Sequence, residues 1–235
     1  MMSIIMPTLW KGEFYKNMLP IFDAHPLVGE IVIINNNAAE TDNDTIEKLT
    51  KVVVHTPAEN IYVNPAWNYG VKVSKFDVVC LYSDDVLFDI DCLEQVYRTC
   101  TPDNGLVGFS IETISEKKSD LESLKKELLP WQTLGVSPTP YMHYRYGICM
   151  FMHKSAYHEI PSEYKIYYGD TYLFDQNVLA AKQNYKIDGC VVATKMKTTS
   201  NNFSEIVKQD EEHFNRNNPT DELINQLIKE LEKES

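Results

Sequence analysis

No stretch of this 235-residue sequence reaches the roughly 18 apolar residues that a membrane span needs, so no integral membrane segment is expected. The opening Met1-Met2-Ser3-Ile4-Ile5-Met6-Pro7 lacks both a basic start and a long apolar stretch, and it does not match a signal peptide. Positive charge is also scarce. There are 22 Lys and Arg against 34 Asp and Glu, a net charge of −12, and no Lys/Arg-rich stripe. Such a surface repels a phosphate backbone, which excludes nucleic acid as a partner. Cys80, Cys92, Cys100, Cys149 and Cys190 are odd in number, widely spread and without a CxxC pair. They form neither a disulfide framework nor a zinc site, and reduced core thiols in a cytoplasmic protein are the expectation.

What is present is the material of an α/β fold. A chain of this length buries roughly 70% of its extended surface, and 43% apolar with 24% charged residues is an ordinary soluble balance. Apolar runs at 3–6, 30–34, 51–55 and 77–82 alternate with helical spacings such as Phe14, Tyr15, Met18, Leu19 and Phe22. Pro7 should stop the first run, and Pro20 should kink or divide the first helix. Continuous apolar strands separated by helices predict a sheet covered on both faces. Asp91 with Glu94 makes a capping box for a helix to about residue 99, and Ser119 with Glu122 repeats the signal. Further strands are predicted at 105–110, 147–152 and 187–193. The proline-rich stretch 130–146 reads as a loop over the cleft, 198–202 as a loop, and 223–231 as an amphipathic helix. No internal repeat or linker appears. One domain is expected, with a nucleotide-binding half at about 1–110, an acceptor-binding half at 111–200 and a helical tail at 201–235. No oligomeric state follows.

Ligands of an open α/β sheet collect beyond the carboxyl ends of its strands. Asp84 and Asp85 emerge there, directly after the apolar run 77–82. Adjacent carboxylates repel unless solvent, protons or a cation relieve them. Such oxygen ligands suit Mg²⁺ or Mn²⁺, which keep waters and bind substrate phosphates. Ser83-Asp84-Asp85 also suits a turn with an N-cap. Asn35-Asn36-Asn37 ends the second strand with amides that can pair with a base edge or build a turn. Thr8 lies comparably after the first strand. Asn68 can brace neighbouring loops, beside a Trp67 that suits the core. Asp170 either caps a helix or serves as a general base, a role that burial favours by raising its pKa. His143, Tyr144, Arg145 and Tyr168 can bind sugar or phosphate, or serve structure. Lys195 and Lys197 follow the last strand and can approach a diphosphate or remain solvated.

In order, Ile4-Ile5-Met6-Pro7-Thr8, Ile31 to Asn37, Asn68-Tyr69-Gly70, Ser83-Asp84-Asp85, Tyr146 to Met152 and Gly169-Asp170-Thr171-Tyr172-Leu173 resemble the inverting, metal-dependent GT-A glycosyltransferases, family-2 group. The likeness spans about residues 3–195. It implies a single GT-A-like α/β domain with a mixed, mostly parallel sheet. It implies sugar transfer from a UDP-, GDP- or dTDP-sugar to a glycan or other hydroxyl acceptor. Mn²⁺ or Mg²⁺ would sit on Asp84 and Asp85, the donor near Thr8, Asn35, Asn36, Asn68, Asp84 and Lys195, and the base would be Asp170. His143, Tyr144, Arg145 and Tyr168 would face the acceptor. The chain departs from the pattern in four places. Asn35-Asn36-Asn37 replaces an acidic turn, Tyr82 stands where many relatives have the first acidic residue, and Gly169 replaces a Glu. Thr194-Lys195 stands where a His is common. Two rivals stay in play: a sugar nucleotidyltransferase, which shares the fold and also uses metal and carboxylates, and a noncatalytic carbohydrate- or nucleotide-binding protein, which the departures motivate.

Overall fold

Alternation along the strands determines the layers, because successive side chains leave opposite faces of a sheet. In the computed structural model, which describes residues 1–110, 114, 115, 133–194, 203–217, 226 and 229, β1 (Met2–Thr8) sends Met2, Ile4 and Met6 into one core. Ile5 points into the other. β2 (Val28–Asn35) divides the same way, Ile31 and Ile33 against Val32 and Ile34. So does β4 (Val78–Tyr82), with Cys80 and Tyr82 against Val79 and Leu81. The sheet is covered on both faces, as its near-continuous apolar strands predict.

The remaining described strands and α-helices are α1 (Tyr15–Ala24), α2 (Asn43–Ile46), β3 (Val52–His55), α3 (Val63–Val73), β5 (Val86–Phe88), α4 (Leu93–Thr99), β6 (Val107–Phe109) and β7 (Ile114–Ser115). They continue with β8 (Gly135–Pro138), β9 (Cys149–His153), α5 (Gly169–Leu179), β10 (Tyr185–Asp188), β11 (Val192–Thr194) and α6 (Ser204–Asn217). The main sheet has the order β3-β2-β1-β4-β9-β6-β10-β8, and β5-β11-β7 form a smaller one. β1 to β4 pair in parallel, whereas β9 runs antiparallel between β4 and β6. The fold is therefore mixed α/β with a mostly parallel sheet. Tyr82 lies opposite Cys149, so β9 begins where β4 ends.

The structure departs from the sequence expectations at several places. Pro7 stays inside β1, in register with Ile34. Pro20 does not divide α1; it lies on the exposed side of that helix. The first turn after β5 is capped by Asp89, whose carboxylate accepts from Asp91 N–H at 3.2 Å, rather than by an Asp91–Glu94 box. The stretch 130–146 contains an edge strand, β8, a position that tolerates Pro138. The single strand expected at 187–193 is two, because Gly189 turns the chain at φ +67° and sends β10 and β11 to different sheets. The helix expected from Ser119 and the loop at 198–202 lie outside the described residues, as does nearly all of 223–231. All five cysteines are free and buried. Among the described residues, no helix is long and apolar enough to cross a membrane.

α3 rides close to the sheet through Gly70, where an added Cβ would meet Ile5 Cγ2 at 2.3 Å. Gly70→Ala should therefore destabilise the fold despite the ~1 kcal/mol that Ala gains over Gly in a helix. Ile5 is fully buried and β-branched, so it cannot step aside. A net loss of about 1–2 kcal/mol is expected in urea unfolding, since overpacking a core costs roughly 1–3 kcal/mol.

Candidate active site

The carboxyl ends of β1, β2 and β4 open into one cavity. Thr8, Asn36, Ser83, Asp84 and Asp85 line it from the sheet, and Tyr62, Val63 and Trp67 from the start of α3. Ile166 and Phe203 close it from later in the chain. About 680 Å³ of empty space lies between them, open on one side.

Asp84 is held by its neighbours. Thr8 Oγ1 donates to Asp84 Oδ2 at 2.5 Å and accepts from Trp10 N–H at 2.8 Å. The Asp84 carbonyl accepts from Tyr15 N–H at 3.0 Å. The Gly12 main chain presses so closely that a Cβ would come within 2.5 Å of the Asp84 carbonyl oxygen. Burial pushes the Asp84 carboxyl up to about 6, against the opposing hydrogen bond from Thr8, and the charge of Asp85 adds to the rise. Burial of Asp84 beside a second carboxylate disfavours negative charge there, and a divalent cation would relieve it. Among the described residues no cluster of three or more His, Cys, Asp or Glu side chains surrounds a metal position. A cation held by Asp84 and Asp85 would complete its shell with substrate oxygens and water, the habit of Mg²⁺ and Mn²⁺.

The asparagines are occupied within the protein. Asn35 Nδ2 donates to the Glu40 carbonyl at 2.9 Å and to Thr41 Oγ1 at 3.2 Å, while its Oδ1 accepts from Asn37 N–H. Asn36 lines the cavity, yet its amide grips the opposite wall: Nδ2 donates to the Tyr62 carbonyl and Oδ1 accepts from Ile61 N–H. Asn68 lies away from the cavity. Its Oδ1 accepts from Tyr157 O–H and Ile160 N–H, and its Nδ2 donates to the Ile160 carbonyl. This is the bracing role its chemistry suggested. Trp67 is 5% exposed and packs in the core beneath the cavity wall.

Asp170 opens α5 and lies over Gly147, where an added Cβ would meet Asp170 Oδ2 at 2.1 Å. The neighbouring Ile148 carbonyl accepts from Ser83 N–H at 3.2 Å, which ties the segment beneath Asp170 to the strand end that carries Asp84 and Asp85, although Asp170 itself does not line the cavity. Burial raises the Asp170 carboxyl above its ordinary range, opposed only by main-chain N–H donors. Nearby, Arg145 is left-handed at φ +65°, and its guanidinium lies 4.8 Å from the centre of the exposed Tyr144 ring. His143 is buried beside Thr139 Oγ1 at 3.2 Å. Tyr168 stacks on Phe214 of α6 at 4.3 Å rather than lining the cavity. Lys195 and Lys197 lie outside the described residues. Sequence reasoning missed Gly12, Tyr62, Phe203 and the packing of α6, which it placed only as part of a helical tail at 201–235. Gly12 carries no local signal, and the sparse apolar positions of α6 hide its packing.

A sequence comparison with curated proteins finds no match. Among solved structures, residues 1–349 of S. aureus TarS superpose with a TM-score of 0.62 at 14% identity, covering 97% of this chain and 69% of that one. The Pyrobaculum calidifontis mannosyltransferase PcManGT, in complex with GDP-Man and Mn²⁺, gives 0.62 at 13%, covering 97% and 67%. TarS 1–349 in complex with UDP-GlcNAc gives 0.61 at 11%, covering 98% and 71%. These similarities establish the fold, that of the GT-A transferases. The family model described as Glycosyl transferase family 2 matches residues 3–161, the span that carries β1 to β9 and the acidic pair, and the chain therefore belongs to glycosyl transferase family 2.

Proposed function

We propose that this chain moves a sugar from a nucleoside-diphosphate sugar to an acceptor hydroxyl with inversion at the anomeric carbon. One observation carries the reading: two adjacent carboxylates line a cavity at the carboxyl ends of parallel strands, and a main-chain hydrogen bond ties that strand end to the segment beneath a third carboxylate, whose burial suits it to proton abstraction. The structural neighbours support it by what they hold, GDP-Man with Mn²⁺ in PcManGT and UDP-GlcNAc in TarS. A UDP-, GDP- or dTDP-sugar is the donor class.

Asp84 and Asp85 would hold Mn²⁺ or Mg²⁺, which supplies charge to the diphosphate as it leaves. Thr8 fixes the Asp84 carboxylate through its hydroxyl. Asn36 ties the end of β2 to the wall that would face the nucleoside, and Asn35 and Asn68 brace that frame. A role for Lys195 at the diphosphate rests on the family resemblance alone, since it lies outside the described residues. The acceptor hydroxyl enters opposite the leaving diphosphate, and Asp170 takes its proton as the new C–O bond forms and the bond to the diphosphate breaks. His143, Tyr144, Arg145 and Tyr168 orient the acceptor. Alignment of the two reactants supplies part of the barrier reduction and the fixed charges the rest.

The test is turnover of UDP-, GDP- and dTDP-sugars with Mn²⁺ or Mg²⁺ over a panel of hydroxyl acceptors. The expected result is acceptor-dependent release of nucleoside diphosphate and a product of inverted anomeric configuration by NMR. Pyrophosphate release with formation of a nucleotide sugar would instead identify a nucleotidyltransferase. Donor binding without turnover over the whole panel would identify a noncatalytic binding protein.

A further inference from the structure

We propose that Asp210, on α6, is a positioning residue that sets the turn from which Asp170 projects. The inference rests on the reading of Asp170 as the general base. Asp210 and the turn both lie beyond the family match at residues 3–161.

Asp210 is fully buried, and its carboxylate accepts from Lys165 N–H at 3.0 Å, Ile166 N–H at 2.8 Å and Tyr167 N–H at 2.9 Å. A buried carboxylate is costly unless such bonds compensate it, so this one is committed to that segment. The carbonyls of the same segment go the other way. Lys165 accepts from the Val63 and Asn64 N–H groups at the start of α3, and Tyr167 accepts from Asn64 Nδ2 at 3.0 Å. Residues 165–167 are thus clamped between the helix that walls the donor cavity and α6.

The next residue is the strained one. Tyr168 is left-handed at φ +63°, a conformation that a residue with a side chain keeps only when its surroundings impose it. Asp210 fixes the chain just before it, Phe214 stacks on its ring, and Asn64 Oδ1 lies where a Cβ of Gly169 would be. Asp170 follows immediately, as the second residue of α5. Release of the clamp lets Tyr168 relax and shifts the carboxylate two residues on. A small misplacement of a reacting group is enough to lower a rate by orders of magnitude. Because α6 also brings Phe203 near its start into the cavity wall, one helix serves both halves of the site.

The test uses the full chain and Asp210→Asn, nearly isosteric but uncharged, with kcat, KM and the ¹³C titration of the Asp170 carboxyl as readouts. Asp210→Asn should lower kcat about tenfold or more while donor KM changes less than about threefold, the pattern of an interaction that matters in the transition state. In an Asp170→Ala background the same substitution should cost less than about twofold, because residues acting through one group are not additive. In the single variant Asp210→Asn the Asp170 carboxyl should titrate lower than in the parent as water reaches it. Phe214→Leu, which removes the stack and leaves the carboxylate, should move kcat and the titration in the same direction by less, and it carries the test if Asp210→Asn does not fold. A loss fully additive with Asp170→Ala, or an unchanged Asp170 titration, overturns the proposal. If Asp170→Ala keeps full transfer, the base assignment falls by itself, and the titration still decides whether Asp210 sets the surroundings of Asp170.

Discussion

Asp170→Asn should lower kcat by about 10²–10⁴-fold, the usual contribution of a positioned general base, while leaving donor KM within a few-fold. Asn keeps the shape over Gly147 and removes only the ability to take a proton. The pH profile provides a second check. Burial raises the Asp170 carboxyl, so the basic form appears only above the ordinary carboxylate range, and the acid limb of kcat should lie correspondingly high. Asp170→Asn should abolish that limb. Linkage fixes the sign for stability as well. A carboxyl raised on folding contributes stability below its unfolded pKa and loses it as pH rises through the folded value. The neutral variant should therefore melt higher than the parent at neutral pH while turning over far less. A variant with full kcat and an unchanged acid limb would remove Asp170 from the reaction.

The second large effect is expected at the acidic pair. Asp85→Ala should reduce kcat/KM by about 10²–10³-fold, the scale on which fixed electrostatic groups at a developing charge act. Turnover measured against Mn²⁺ concentration should need far more metal in the variant, and direct titration of Mn²⁺ should show weaker binding. Asp84→Ala should add a structural cost, because it strips Thr8 of its acceptor and opens space beneath Gly12. Full activity in Asp85→Ala at every Mn²⁺ concentration would remove the pair from donor binding.

Much of this architecture is legible in the sequence because sheet faces repeat every second residue. Met2, Ile4 and Met6 against Ile5 already describe a two-faced strand, and an apolar run ending in Asp84-Asp85 marks a strand that opens on solvent. Side-chain partners across the chain are not legible in that way. Asn35 and Asn36 carry the right groups for a base edge, but loops at 40–41 and 61–62 claim their amides first. Gly12 matters only because Asp84 lies against it. Gly189 sat inside an apolar run as a mark of interruption, yet nothing local told which sheet each half would join. Asp210 was the least visible. In a helix as charged as α6 a carboxylate looks solvated, and only the fold of residues 165–167 buries it.

The reversed direction of β9 has an evolutionary corollary. Had that strand run with its neighbours, the chain entering it would arrive at the far end of the sheet, remote from the cavity at Asp84. Running against them, it delivers whatever precedes Cys149 to the edge that holds Asp84. On the proposed function, the segment before this strand can be exchanged, lengthened or recoded while the Tyr82–Cys149 register stays put, so a new acceptor would not require a rebuilt donor site.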